Sequence, residues 1–148
     1  MVLAIGITGG IGGGKTEVCR MFASLGAKVL SADAIAKEVI ATDSQVRQSL
    51  RREFGKRAFL PDESLDRKFV ADLAFGNDKL KNKLDSIVHP PTLGKIREEI
   101  QAARNSGSHP MVVVEAALMY ESGADELFDY IIVVEADPRR SIERVVKR

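Results

Sequence analysis

The stretch GITGGIGGGKTEV, running from Gly6 to Val18, holds six of the chain's twelve glycines. Glycine loses more conformational freedom on folding than any other residue, so such a concentration is unfavourable unless bare backbone is itself needed. The spacing states the need. Gly9, four residues, then Gly14, Lys15 and Thr16 satisfy G-x-x-x-x-G-K-[ST], a phosphate-binding loop. In such a loop backbone N–H groups turn inward around a polyphosphate, which a Cβ would obstruct. The loop then enters a helix whose N-terminal dipole favours an anion. Gly10, Gly12, Gly13 and Gly14 form the expected nucleotide cradle, with Glu17 in the first helical turn beside it. Lys15 is placed on the terminal phosphates, and the Thr16 hydroxyl on Mg²⁺.

The flanks agree with this reading. Val2 to Ile7 is an apolar run suited to a strand buried on both faces. Beyond the loop, Val18, Met21, Phe22 and Leu25 recur at helical spacing up to Gly26. A dinucleotide fingerprint is excluded, because G-x-G-x-x-G begun at Gly10 or Gly12 ends on Lys15 or Glu17.

A chain of 148 residues is long enough for one real core, and a net charge of +1 gives no broad attraction to nucleic acid or membrane. Neither is expected as a partner. Cys19 is the only cysteine, which precludes an internal disulfide and suits a reducing compartment. It is read as a buried structural thiol. With no targeting segment and no apolar run near twenty residues, the expectation is a soluble cytoplasmic protein.

Lys28-Val29-Leu30 reads as a second strand, ending at Asp33 on the edge where open α/β sheets bind ligands. Ile35, Val39 and Ile40 suggest a short helix. From about Thr42 to Gly107 helical spacing replaces strand signals. Val46, Leu50 and Phe54 form one stripe. Leu65, Phe69 and Leu73 form a second with Ser64 as N-cap, and Leu80, Leu84, Ile87 and Val88 a third capped by Asn77. His89-Pro90-Pro91 is expected to end that helix, and Leu93, Ile96, Ile100 and Ala103 to form another. Met111 to Val114 and Tyr130 to Val134 complete four strands. Asp137-Pro138 opens a last helix bearing Arg140, Arg144 and Arg148 on one face. The expected architecture is a single α/β domain: a parallel sheet flanked by helices in the manner of P-loop NTPases, interrupted at about 42–107 by a helical insertion.

A GTPase is disfavoured: Glu115-Ala116-Ala117-Leu118 follows the third strand where D-x-x-G is needed, and no N-K-x-D follows a strand. A small-molecule kinase needs a lysine and Mg²⁺ on the phosphates, a carboxylate near the acceptor hydroxyl, and cations over the site. Lys15 and Thr16 meet the first need, Asp33 the second, and the arginine stripe the third. A cap on the helix that follows is the competing reading of Asp33, and a solvated face suits the arginines equally well. A nucleoside monophosphate kinase and a nucleotide-binding module without catalysis both remain open at this point.

Several blocks together resemble bacterial dephospho-CoA kinases: GITGGIGGGKTEV, then LGAKVLSADAIAKEV with Asp33, Phe54-Gly55, Leu65-Asp66-Arg67, LDSIVHP ending in His89-Pro90, and EAALMYE from Glu115 to Glu121. The resemblance runs in order along the whole chain. It implies transfer of phosphate from ATP, with Mg²⁺, to the ribose 3′-hydroxyl of dephospho-CoA, the last step of coenzyme A synthesis. It implies that the insertion binds the CoA moiety and that Asp33 orients or deprotonates the hydroxyl. His89, Pro90 and Leu118 would lie in the acceptor site, Glu115 would face Mg²⁺, and Arg144 and Arg148 would lead into a lid over ATP. Glu17 stands where the family usually has a second hydroxyl, and Glu115 where many members have Asp. The chain ends within the arginine stripe, so the family's lid and its last strand and helix are expected to be absent from it.

Overall fold

The computed structural model describes residues 1–10, 12, 14–117, 119, 122–135 and 139. Among them, four strands form one parallel sheet in the order β2-β3-β1-β4. These are β1 (Leu3–Gly9), β2 (Lys28–Ser31), β3 (Met111–Glu115) and β4 (Tyr130–Val134). The helices are α1 (Lys15–Ser24), α2 (Ala32–Thr42), α3 (Ser44–Phe54), α4 (Arg67–Ala74) and α5 (Asp78–Ser106).

The chain divides into two compact units, Met1–Asp33 with Ile96–Arg148, and Ala34–Lys95. The first holds the sheet. Val112, Val113 and Val114 are fully buried in succession, as is typical of a parallel strand covered on both faces. Ile5, Ile7, Val113 and Cys19 form a core cluster into which Val18 and Phe22 of α1 and Ile132 and Val134 of β4 pack. The sequence places Cys19 in the interior, and it lies there as a free buried thiol. Asp129 clamps the entry to β4: its carboxylate accepts from the Ala4 N–H at 2.8 Å and from Arg104 at 2.9 Å.

The second unit is helical. Val46, Leu50 and Phe54 are all buried along α3, whose first turn is capped by Asp43 accepting from Gln45 and Val46 N–H. Gly55 then breaks the helix. The unit begins at Ala34, earlier than the expected insertion at Thr42, because α2 follows β2 without an intervening loop.

Three expectations about helices are corrected. Asp66, not Ser64, caps α4, accepting from the Phe69 N–H at 3.0 Å, while the Ser64 hydroxyl is turned onto Asp62. Leu65 lies before the helix in a bridge to Phe59, and Val70 is the buried residue of α4. The third correction concerns Pro90 and Pro91, which lie inside one continuous α5 of 29 residues rather than between two helices. Two prolines remove two adjacent N–H donors, but both lie at consecutive positions and so disturb a single turn. The buried Thr92 hydroxyl, donating to the Val88 carbonyl at 2.7 Å, supplies a side-chain bond just beyond them. Burial of Val88, Thr92, Ile96 and Ile100 along the same helix outweighs the local loss.

Candidate active site

Parallel pairing aligns the ends of three strands. Glu115, the last residue of β3, lies opposite Ile7 of β1 on one side and Ser31 of β2 on the other. Two residues past Ile7 the loop begins at Gly9, and two past Ser31 stands Asp33. Loop, Asp33 and Glu115 therefore share the carboxyl end of the sheet, the edge at which α/β folds hold ligands. The backbone after β3 is tied to β1: the Ala116 N–H donates to the Ile7 carbonyl at 2.9 Å, and the Thr8 hydroxyl to the Ala117 carbonyl at 3.4 Å.

Asp33 is exposed and is the second residue of α2, inside the first turn rather than at the position that precedes it. Its carboxylate therefore sits in the first turn of that helix.

The loop's glycines have specific geometric causes. A Cβ at Gly9 would lie 2.2 Å from the Val134 carbonyl oxygen, so only glycine permits β4 to pair alongside it. Gly14 stands before α1 with φ 92° and ψ 19°, a left-handed conformation, and gives the helix no side-chain cap. α3 and α4 are each capped by an aspartate side chain, whereas the residue before α1 is a glycine that offers none. The Lys15 ammonium donates to the carbonyls of Gly9 at 2.8 Å and Gly10 at 3.2 Å, which holds its charge against the loop. Gly12 is buried and Thr16, on the first turn, is exposed.

The electrostatics of this edge register on Cys19, one turn along α1. Its thiol is pushed above the usual range by burial first and the Glu115 carboxylate second, while Lys15 pulls it down. Glu115 and Lys15 are thus both close enough to act on one buried group. Among the described residues no three His, Cys, Asp or Glu side chains gather into a metal cluster. One hydroxyl and one carboxylate suit Mg²⁺, which takes its remaining ligands from phosphate and water.

The model of the family described as dephospho-CoA kinase matches residues 3–148. The dephospho-CoA kinase of Bacillus licheniformis is 35% identical over all 148 residues, which span 73% of that protein. The chain belongs to the dephospho-CoA kinase family. A crystal structure of a Thermus thermophilus protein, 29% identical, superposes with a TM-score of 0.82 over 99% of this chain and 72% of the other. A dephospho-CoA kinase from Campylobacter jejuni, 21% identical, shares the fold with a TM-score of 0.64 over 99% of this chain and 95% of its own. The activity is therefore that of a kinase of coenzyme A synthesis, and neither another small-molecule or nucleoside monophosphate kinase nor a non-catalytic module is favoured.

A carboxylate, Glu17, directly follows Thr16 in the first turn of α1. Glu17 is exposed and pairs with Arg20 at 2.8 Å, three residues along α1. Sequence reading missed Arg20, although its i,i+3 spacing from Glu17 was the available signal. His89 and Pro90 lie in α5 within the helical unit, where His89 Nε2 is 3.7 Å from the Asp85 carboxylate. Gly13, Leu118, Asp137, Pro138, Arg140, Arg144 and Arg148 lie outside the described residues. Among those described, no helix is long and apolar enough to cross a membrane.

Proposed function

We propose that this chain transfers the γ-phosphoryl group of ATP to the ribose 3′-hydroxyl of dephospho-CoA, with Asp33 as the base. The bond between the γ-phosphorus and the ADP oxygen breaks, a bond from that phosphorus to the 3′-oxygen forms, and the hydroxyl proton passes to the Asp33 carboxylate. The observation that carries this reading is the strand register that sets the glycine loop, Glu115 and Asp33 on one sheet edge. Lys15, now bonded to the Gly9 and Gly10 carbonyls, is the cation for the β- and γ-phosphates. Gly10, Gly12, Gly13 and Gly14 present N–H groups to the polyphosphate, and Thr16 with Glu115 would hold Mg²⁺. That ion, when bound, neutralises phosphate charge. Arg20 keeps the Glu17 carboxylate engaged, which lowers its repulsion of the nucleotide.

The helical unit Ala34–Lys95 is assigned to the acceptor, with His89 and Pro90 among its contacts and Leu118 contributing from the segment after β3. Arg144 and Arg148 are assigned to the nucleotide side. A cytoplasmic setting fits a lone buried thiol.

Asp33→Asn tests the assignment, because it keeps the shape and removes the base. Turnover should fall by about 10²–10⁴ while the KM for ATP stays within about threefold. Turnover near that of the unmodified chain, accompanied by a lower melting temperature, would instead make Asp33 a helix-stabilising residue.

A further inference from the structure

α1 opens directly on the phosphate loop, and its third residue is an acid. Gly14 precedes the helix, Lys15 and Thr16 begin it, and Glu17 follows. An acid at that third position has a preferred use. It reaches back to the backbone N–H of the residue before the helix, where the dipole also favours its charge. The Cα–Cβ bond of a helical residue tilts toward the N-terminus, so Glu17 leans toward the loop from the start. Gly14 brings no side chain to take that place first. A phosphate held by the loop draws on the same first-turn N–H groups and the same dipole. The chain thus carries, two residues beyond Lys15, an anion of its own that is suited to the nucleotide's place.

The structure holds that carboxylate elsewhere. Glu17 Oε1 accepts from Arg20 Nη1 at 2.8 Å. Both side chains project into solvent, Arg20 71% exposed and Glu17 72%. A carboxylate folded back on the first turn would lie against backbone and lose much of that exposure. Lys15, the other cation near the start of α1, is turned onto the carbonyls of Gly9 and Gly10. Among the described residues, Arg20 is the cation paired with Glu17.

We propose that Arg20 is a positioning residue for the nucleotide. It holds the Glu17 carboxylate off the first turn of α1, so that phosphate oxygens take the N–H groups there and the chain's own carboxylate does not. The proposal rests on the reading of the loop as the ATP site, and it adds to simple charge repulsion a competitor that Arg20 restrains. An ion pair this exposed is weak, so its loss is felt as a few-fold change.

The test uses Arg20→Gln, Glu17→Ala and the double variant in the full chain. Calorimetric titration with ADP, without added Mg²⁺, reads the affinity, and amide NMR of the unliganded chain reads the contact. Arg20→Gln should raise the Kd for ADP about three- to fivefold. Arg20→Lys should keep it within about twofold. The double variant should bind ADP as Glu17→Ala alone does, because nothing then remains for Arg20 to restrain. In the unliganded chain Arg20→Gln should shift the Gly14 amide signal, and adding Glu17→Ala should abolish that shift. An unchanged Kd in Arg20→Gln would overturn the proposal. So would a loss just as large in the Glu17→Ala background, since Arg20 would then act on the phosphates directly. A Gly14 signal unmoved by Arg20→Gln would overturn the competing contact. If the unmodified chain binds no ADP, the nucleotide reading of the loop fails, while the Gly14 signal still decides whether Arg20 restrains Glu17.

Discussion

Cys19 is a built-in reporter of the charges around the phosphate loop. Burial, then the Glu115 carboxylate, raise its thiol above the usual range, and Lys15 partly offsets them. Because the pKa is raised on folding, the unfolded chain loses this proton first. The resulting contribution to stability is complete below the ordinary thiol value and is lost as the pH climbs through the raised one. The folded chain should therefore react with iodoacetamide more slowly than the urea-unfolded chain and with a midpoint at higher pH. Glu115→Gln should move that midpoint part of the way back. Equal midpoints for folded and unfolded chain would contradict the burial of Cys19, and an unmoved midpoint in Glu115→Gln the placement of Glu115 beside α1. Of the residues at this edge, the loop was the most legible in sequence, since its motif fixes backbone chemistry at each glycine. Arg20 is legible only through its i,i+3 spacing from Glu17, a weak signal because both side chains are exposed.

Among the elements, the strands were read nearly to the residue and the helices less well. Burial on both faces makes the central strands β1 and β3 continuous apolar runs, which no neighbouring loop imitates. Caps are more ambiguous, since Ser64 and Asp66 both fit the chemistry of an N-terminus two residues apart. The structure decides for Asp66. Asp66→Ala should lower stability by about 1 kcal/mol in urea unfolding, and Ser64→Ala by less than about 0.5 kcal/mol. The reverse order would place the start of α4 wrongly. The break expected at His89-Pro90-Pro91 failed for a related reason. Proline breaks a helix locally, whereas Val88, Ile96, Ile100 and Ala103 bury one stripe of a single long helix, a packing that the residues beside the prolines do not reveal.

On the scale of the whole molecule, the α/β class and the kinase reading came from the order strand, glycine loop, helix together with Asp33 after the second strand. The strand order β2-β3-β1-β4 did not, because pairing between distant strands leaves no local pattern. The division at Ala34 and Lys95 falls at the head of one helix and within another, where composition does not change.

The central claim is phosphoryl transfer at the loop edge, and ADP release tests it most directly. The chain would be assayed with ATP and Mg²⁺, with and without dephospho-CoA, beside Lys15→Ala. The account predicts release that depends on dephospho-CoA and falls by at least about 10² when Lys15 is replaced, as the phosphate cation is then lost. Dephospho-CoA-dependent release that survives unchanged in Lys15→Ala would contradict it.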